Sequence, residues 1–102
     1  MKKVRINGTE YELRYTLRAL FVYEELVGKP YTGEKMVDSY ILLCSTLIAC
    51  NRDFPFTFDQ VIEACDEDPS IFQTFVEVLN EQRERMSMLM GGDDKKKAQT
   101  NR

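Results

Sequence analysis

The chain opens on two short stretches in which apolar and charged residues alternate, from Lys3 to Ile6 and from Thr9 to Tyr15, joined by Asn7-Gly8. A period of two is the signature of a strand with one covered face, and Asn and Gly both tolerate the positive φ angles of a two-residue type I′ turn. That turn fixes the register, setting Ile6 opposite Thr9, Val4 opposite Tyr11, Arg5 opposite Glu10 and Lys3 opposite Glu12. One face of the hairpin, residues 3–15, then gathers Val4, Ile6, Tyr11, Leu13 and Tyr15, while the other pairs opposite charges across the strands.

Beyond Thr16 the apolar spacing lengthens to that of a helix. Ala19, Leu20, Tyr23, Leu26 and Val27 share a face in residues 17–27, with Thr16 as a cap and Gly28 and Pro30 as a stop. Because a lone two-stranded ribbon needs a covering element, this helix is expected across the apolar face of the hairpin. A second helix, residues 34–50, has a stripe of Val37, Tyr40, Ile41, Cys44, Leu47 and Ile48, widened by Met36, Leu43 and Cys50 beyond half the circumference. So apolar a helix belongs at the centre, packed on the first and last helices. Thr57 and Gln60 form a capping box that opens a third helix, residues 58–67, with Phe58, Val61, Ile62 and Cys65 inward and Asp59, Glu63 and Asp66 outward. Asp68-Pro69 starts a fourth, residues 69–90, with a seam of Phe72, Phe75, Leu79, Gln82, Met86 and Leu89 flanked by Ile71 and Val78. Gly91-Gly92 ends it, and the polar remainder to Arg102 reads as a disordered tail. The expected fold is α+β and mostly α: an N-terminal β-hairpin packed on a four-helix domain spanning residues 1–90, with a flexible tail over 91–102.

Composition narrows the function classes. At 102 residues, 43% hydrophobic, the chain is long enough for one modest core. A net charge of −3 and a pI near 5.0 supply no global attraction to nucleic acid or to anionic membrane. The one basic run, Lys95 to Lys97, adjoins Asp93 and Asp94 and lacks interleaved aromatics. The first residues lack the apolar segment and cleavage site of a signal peptide, and the longest apolar stretch, residues 40–50, is about half of what a bilayer requires. Neither export nor membrane insertion is expected.

Candidate chemistry is sparse. The chain contains no histidine, and Cys44, Cys50 and Cys65 lack the spacing of a zinc site, so they read as small buried hydrophobes in a reducing compartment. The carboxylates Asp59, Glu63, Asp66, Glu67 and Asp68 lie along one short helix and at the start of the next, where they read as a solvated face rather than a converging site. No nucleophile is paired with a base and no phosphate-cradling glycine loop occurs, so neither enzymatic activity nor a cofactor is expected. Two features suit protein binding. Met86, Met88, Leu89 and Met90 crowd the end of the last helix, either as an adaptable docking surface or as ordinary packing at a fraying end. Phe54 and Phe56, with Phe58 around Pro55, form either an exposed aromatic hook or a plug on the core, and the plug is favoured because large exposed apolar clusters are uncommon on monomers.

Ile6-Asn7-Gly8, Tyr11 and Leu13, followed by Ala19-Leu20, Glu24-Glu25-Leu26 and Gly28-Lys29, resemble the hairpin and first helix of the tail assembly chaperones of long-tailed bacteriophages and prophages. The resemblance implies a non-enzymatic chaperone in the cytoplasm of a bacterial host that coats the helical, aggregation-prone tape-measure protein during tail assembly. It also implies a longer frameshifted form, with a slippery run near the codons of Lys95 to Lys97, that recruits tail-tube protein; self-association is left open. A structural tail or connector subunit and a small regulatory or antitoxin-like binding module are the alternatives.

Overall fold

The computed structural model describes the backbone over residues 2–89 and side chains as far as residue 84; the expected tail and the outer end of the last helix lie outside the described residues. Two antiparallel strands, β1 (Lys2–Ile6) and β2 (Thr9–Leu13), precede four helices, α1 (Leu17–Val27), α2 (Met36–Cys50), α3 (Phe58–Glu67) and α4 (Ser70–Leu89). The architecture is α+β and mostly α, as the pattern predicts.

The hairpin has the expected register throughout, Val4 pairing with Tyr11 and Arg5 with Glu10, and its turn places Asn7 at φ 51° and Gly8 at φ 83°. Val4, Ile6 and Leu13 are buried on its inner face. That face is covered by α2 and α4 rather than by α1, which packs chiefly against α2. The reason lies in α1 itself. Only Ala19 and Tyr23 are buried on it, a narrow stripe that suits a single neighbouring helix, whereas Leu26, expected inward, is exposed.

α2 is the central element. Leu42 through Leu47 are six consecutive buried residues, so this part of the helix is enclosed all round. Leu42 falls outside the expected stripe because that stripe assumes a solvent-facing side, which this segment lacks. Its buried hydroxyls turn back on their own helix: Ser45 Oγ donates to the Ile41 carbonyl at 2.8 Å and Thr46 Oγ1 to that of Leu42 at 2.7 Å. α2 begins two residues later than the expected 34, since Gly33 stands at φ 77° and Lys35 is still extended. Tyr31 explains the delay, its ring meeting Tyr23 edge-on at 5.3 Å so that the loop folds back on α1. A Cβ on Gly33 would lie 2.9 Å from the Tyr31 hydroxyl. Asp38 then caps the helix, accepting from the Lys35 backbone N–H at 3.1 Å.

The other caps follow their local chemistry. Thr16 Oγ1 accepts from Ala19 N–H at 3.2 Å, and Gly28 closes α1 at φ 88°. Thr57 and Gln60 exchange bonds of 2.8 and 3.2 Å at the start of α3. α4 starts at Ser70 rather than Pro69: Asp68 Oδ1 accepts from both the backbone N–H and the hydroxyl of Ser70, leaving the Pro69 carbonyl to accept from Gln73. Its buried seam is Ile71, Phe75 and Val78, with Phe72 and Leu79 half-buried beside it. Phe72 stacks on Tyr40 at 4.2 Å, joining α4 to α2, and Lys2 Nζ reaches Glu77 at 3.2 Å and Glu81 at 3.7 Å, joining α4 to β1.

At the far end of α2, two successive side chains close the outer edge of β2. Asn51 Oδ1 accepts from the Glu12 N–H at 2.9 Å while its Nδ2 donates to the Glu12 carbonyl at 2.9 Å and to that of Leu47 at 3.0 Å. Cys50 continues the pattern, its thiol donating to the Arg14 carbonyl at 3.1 Å and its sulfur meeting the Arg14 N–H at 3.4 Å.

Candidate functional site

The first turn of α2 packs Asp38 toward Tyr23 of α1 but leaves Met36 and Val37 at the surface, and this creates the main apolar feature of the surface. Met36 is 80% exposed and Val37 45%, although both fit the apolar stripe read from the spacing. α3 lies across the same side of α2 and stands Phe58 at its own start between two hollows. The larger, about 520 Å³, is walled by Met36, Val37 and Tyr40 of α2 and by Phe58, Ile62, Cys65 and Asp66 of α3. The smaller, about 210 Å³, is walled by Leu26 and Val27 of α1, Ile41 and Cys44 of α2, and again Phe58. The two hollows flank Phe58 and together make an apolar surface, the trough, bordered by three helices. Its far wall includes Leu26, which is 56% exposed.

The trough has the chemistry of a binding surface. Both of its cysteines are held as neutral thiols: burial raises the Cys44 pKa, and burial followed by the Asp66 and Asp68 charges raises that of Cys65. A thiol shifted upward is a poor nucleophile and a good apolar lining. The carboxylates Asp59, Glu63, Asp66 and Glu67 are exposed, and among the described residues no three His, Cys, Asp or Glu side chains come together as metal ligands. What the trough offers is apolar contact with a charged lip, the arrangement that receives an amphipathic helix.

Phe54 and Phe56 lie elsewhere, at the hairpin. Their rings meet Tyr11 edge-on at 5.1 and 5.9 Å and each other at 5.6 Å, and both are half-buried against the core. Met86, Met88 and Leu89 belong to α4, but their side chains and all of Met90 are outside the described residues. The structure therefore brings Phe54 and Phe56 together without joining them to the trough. A smaller apolar patch, Leu17 and Phe21, is exposed at 65% and 54% one turn apart on α1. Among the described residues no helix is long and apolar enough to cross a membrane.

Sequence reasoning misses the trough for a definite reason. Leu26, Met36 and Val37 satisfy the periodicity of core positions, and only the placement of three helices leaves them uncovered. One signal was available: the stripe of α2 exceeds half its circumference, more apolar surface than the α1 end of the chain can cover. Compared with known proteins, the chain matches no family model, no curated protein and no solved structure.

Proposed function

We propose that this protein is a non-enzymatic chaperone that shields an apolar helix of a client, and that the client is a tape-measure protein held during phage tail assembly in the bacterial cytoplasm. The observation that carries the first part is the open trough among α1, α2 and α3, whose rim residues Met36, Leu26 and Val37 are exposed at 80%, 56% and 45%. Its larger hollow has the size of a ligand-binding cleft, yet its walls offer apolar contact and few polar groups to orient a small molecule. The second part rests on the resemblance of the hairpin and α1, from Ile6 to Lys29, to tail assembly chaperones; recruitment of tail-tube protein by a longer product belongs to the same reading.

Co-expression with a candidate client, the product of a long coiled-coil-rich reading frame beside this gene, tests the proposal. The unaltered chain should co-purify with the client and keep it from precipitating. Met36→Glu combined with Val37→Glu should abolish capture while leaving the circular dichroism spectrum and the melting temperature near those of the parent, since both residues are surface-exposed. Met88→Glu combined with Met90→Glu gives the comparison at the methionine-rich end of α4. Loss of capture in that variant alone would move the docking surface there, and failure of the parent chain to hold any client would defeat the chaperone reading.

A further inference from the structure

The trough has a sign as well as a shape. α3 contributes Phe58, Ile62 and Cys65 to its wall and carries Asp59, Glu63, Asp66 and Glu67 without a single basic residue. Asp59 and Asp66 lie three and four positions from Ile62, which puts them on its flank of the helix, and Asp66 itself lines the larger hollow. Among the described residues the ion pairs join Lys2 to Glu77 and Glu81 and Arg5 to Glu10, so none of them takes up an α3 carboxylate. On the opposite side Glu34 and Lys35 precede Met36 with opposite charges. Along α3 the lip is therefore uniformly acidic.

We propose that the trough takes a basic amphipathic helix of a partner protein, with the partner's apolar stripe lying in the trough and its Lys or Arg residues along the edge that faces α3. This inference rests on the helix-shielding reading above and adds the charge of the helix. Apolar burial supplies the affinity, and the carboxylates of α3 select the partner by its charge. An acidic helix would bring carboxylates against carboxylates and be rejected by the same lip. The exposed helix face of a second copy fits poorly, because Leu17 and Phe21 on α1 are followed on the same face by Glu24 and Glu25, against a single Arg18.

Two fluorescein-labelled helical peptides test this, each about 20 residues long so that a helix can persist. They share one Leu and Ile stripe and differ only in flanking it with Lys and Arg or with Glu. Titrated with the full chain and followed by anisotropy, the basic peptide should bind at least about tenfold more tightly than its acidic twin, with the gap closing as added salt screens the lip. The triple variant Asp59→Asn, Glu63→Gln, Asp66→Asn, its fold checked by circular dichroism, should bind both peptides alike. Met36→Ser with Val37→Ser should lose the basic peptide, and undiminished binding there would mean a diffuse charge effect and overturn the proposal. Equal affinity of the parent chain for the two peptides would overturn the charge selection while leaving the helix-shielding reading standing, whereas binding of neither would defeat both. A dimer seen by sedimentation and lost in the Met36→Ser, Val37→Ser chain would put a second copy in the trough and likewise overturn it.

Discussion

Asn51 performs at one position what a third strand would perform along a whole edge. Its amide gives the Glu12 backbone both an acceptor and a donor while also serving the last turn of α2. Asn51→Ala removes those bonds from half-buried groups and should cost about 1–3 kcal/mol in urea unfolding. Asn51→Asp keeps the shape but cannot donate to the Glu12 and Leu47 carbonyls, so it should be no better than alanine. Gly8 is a purely conformational case, since a Cβ there would meet nothing within 4 Å and yet φ is +83°. Gly8→Val should lower stability by about 1–3 kcal/mol through backbone strain alone. Tyr23 adds a dependence on pH. Burial, followed by the charge and hydrogen bond of Asp38, raises its phenol above the ordinary 10.0. The folded chain thus holds this proton more tightly than the unfolded chain does. The stabilisation is complete below pH 10.0 and is lost as pH climbs through the raised value. Tyr23→Phe should flatten that alkaline decline without abolishing it, because burial raises Tyr15 as well.

Among the elements, those whose limits depend on neighbouring residues were legible in the sequence. Asn7-Gly8 sets the hairpin, Thr16 and Gly28 bracket α1, and the Thr57–Gln60 exchange opens α3, each decided within a few residues of backbone. Thr57→Ala should accordingly cost about 0.5–2 kcal/mol, measured as a shift of the denaturant midpoint at constant slope. The seat of α1 was not legible, because its choice between the hairpin and α2 depends on how α4 fills the hairpin's inner face. Lys2 with Glu77 and Glu81, pairs more than seventy residues apart, records where α4 lies and is a contact no local pattern announces. Phe54 and Phe56 show the same limit. Their alternation does not say which ring they will meet, and the answer is Tyr11. Phe54→Ala should lower stability by about 1–3 kcal/mol, less than the 3–5 kcal/mol of a fully buried phenylalanine.

For the molecule as a whole, core and trough are separate demands on one helix. α2 is enclosed from Leu42 to Leu47 and bare at Met36 and Val37, so its two halves should respond differently to substitution. Leu42→Ala should cost about 2–5 kcal/mol and shift the entire unfolding transition, while the outer pair changes binding with the transition unmoved. The candidate site was hidden in the sequence for the reason that the core was visible: identical residues at identical spacing serve both, and only the arrangement of α1 and α3 tells them apart. The Cys50–Asn51 closure bears on how copies of this chain behave in a crowd. A two-stranded ribbon with bare edges is a template, inviting each new chain to add a rung and propagate a filament. Here the donors and acceptors of Glu12 and Arg14 are already occupied from within, so the β2 edge cannot seed such growth at these positions even while the apolar trough stands open.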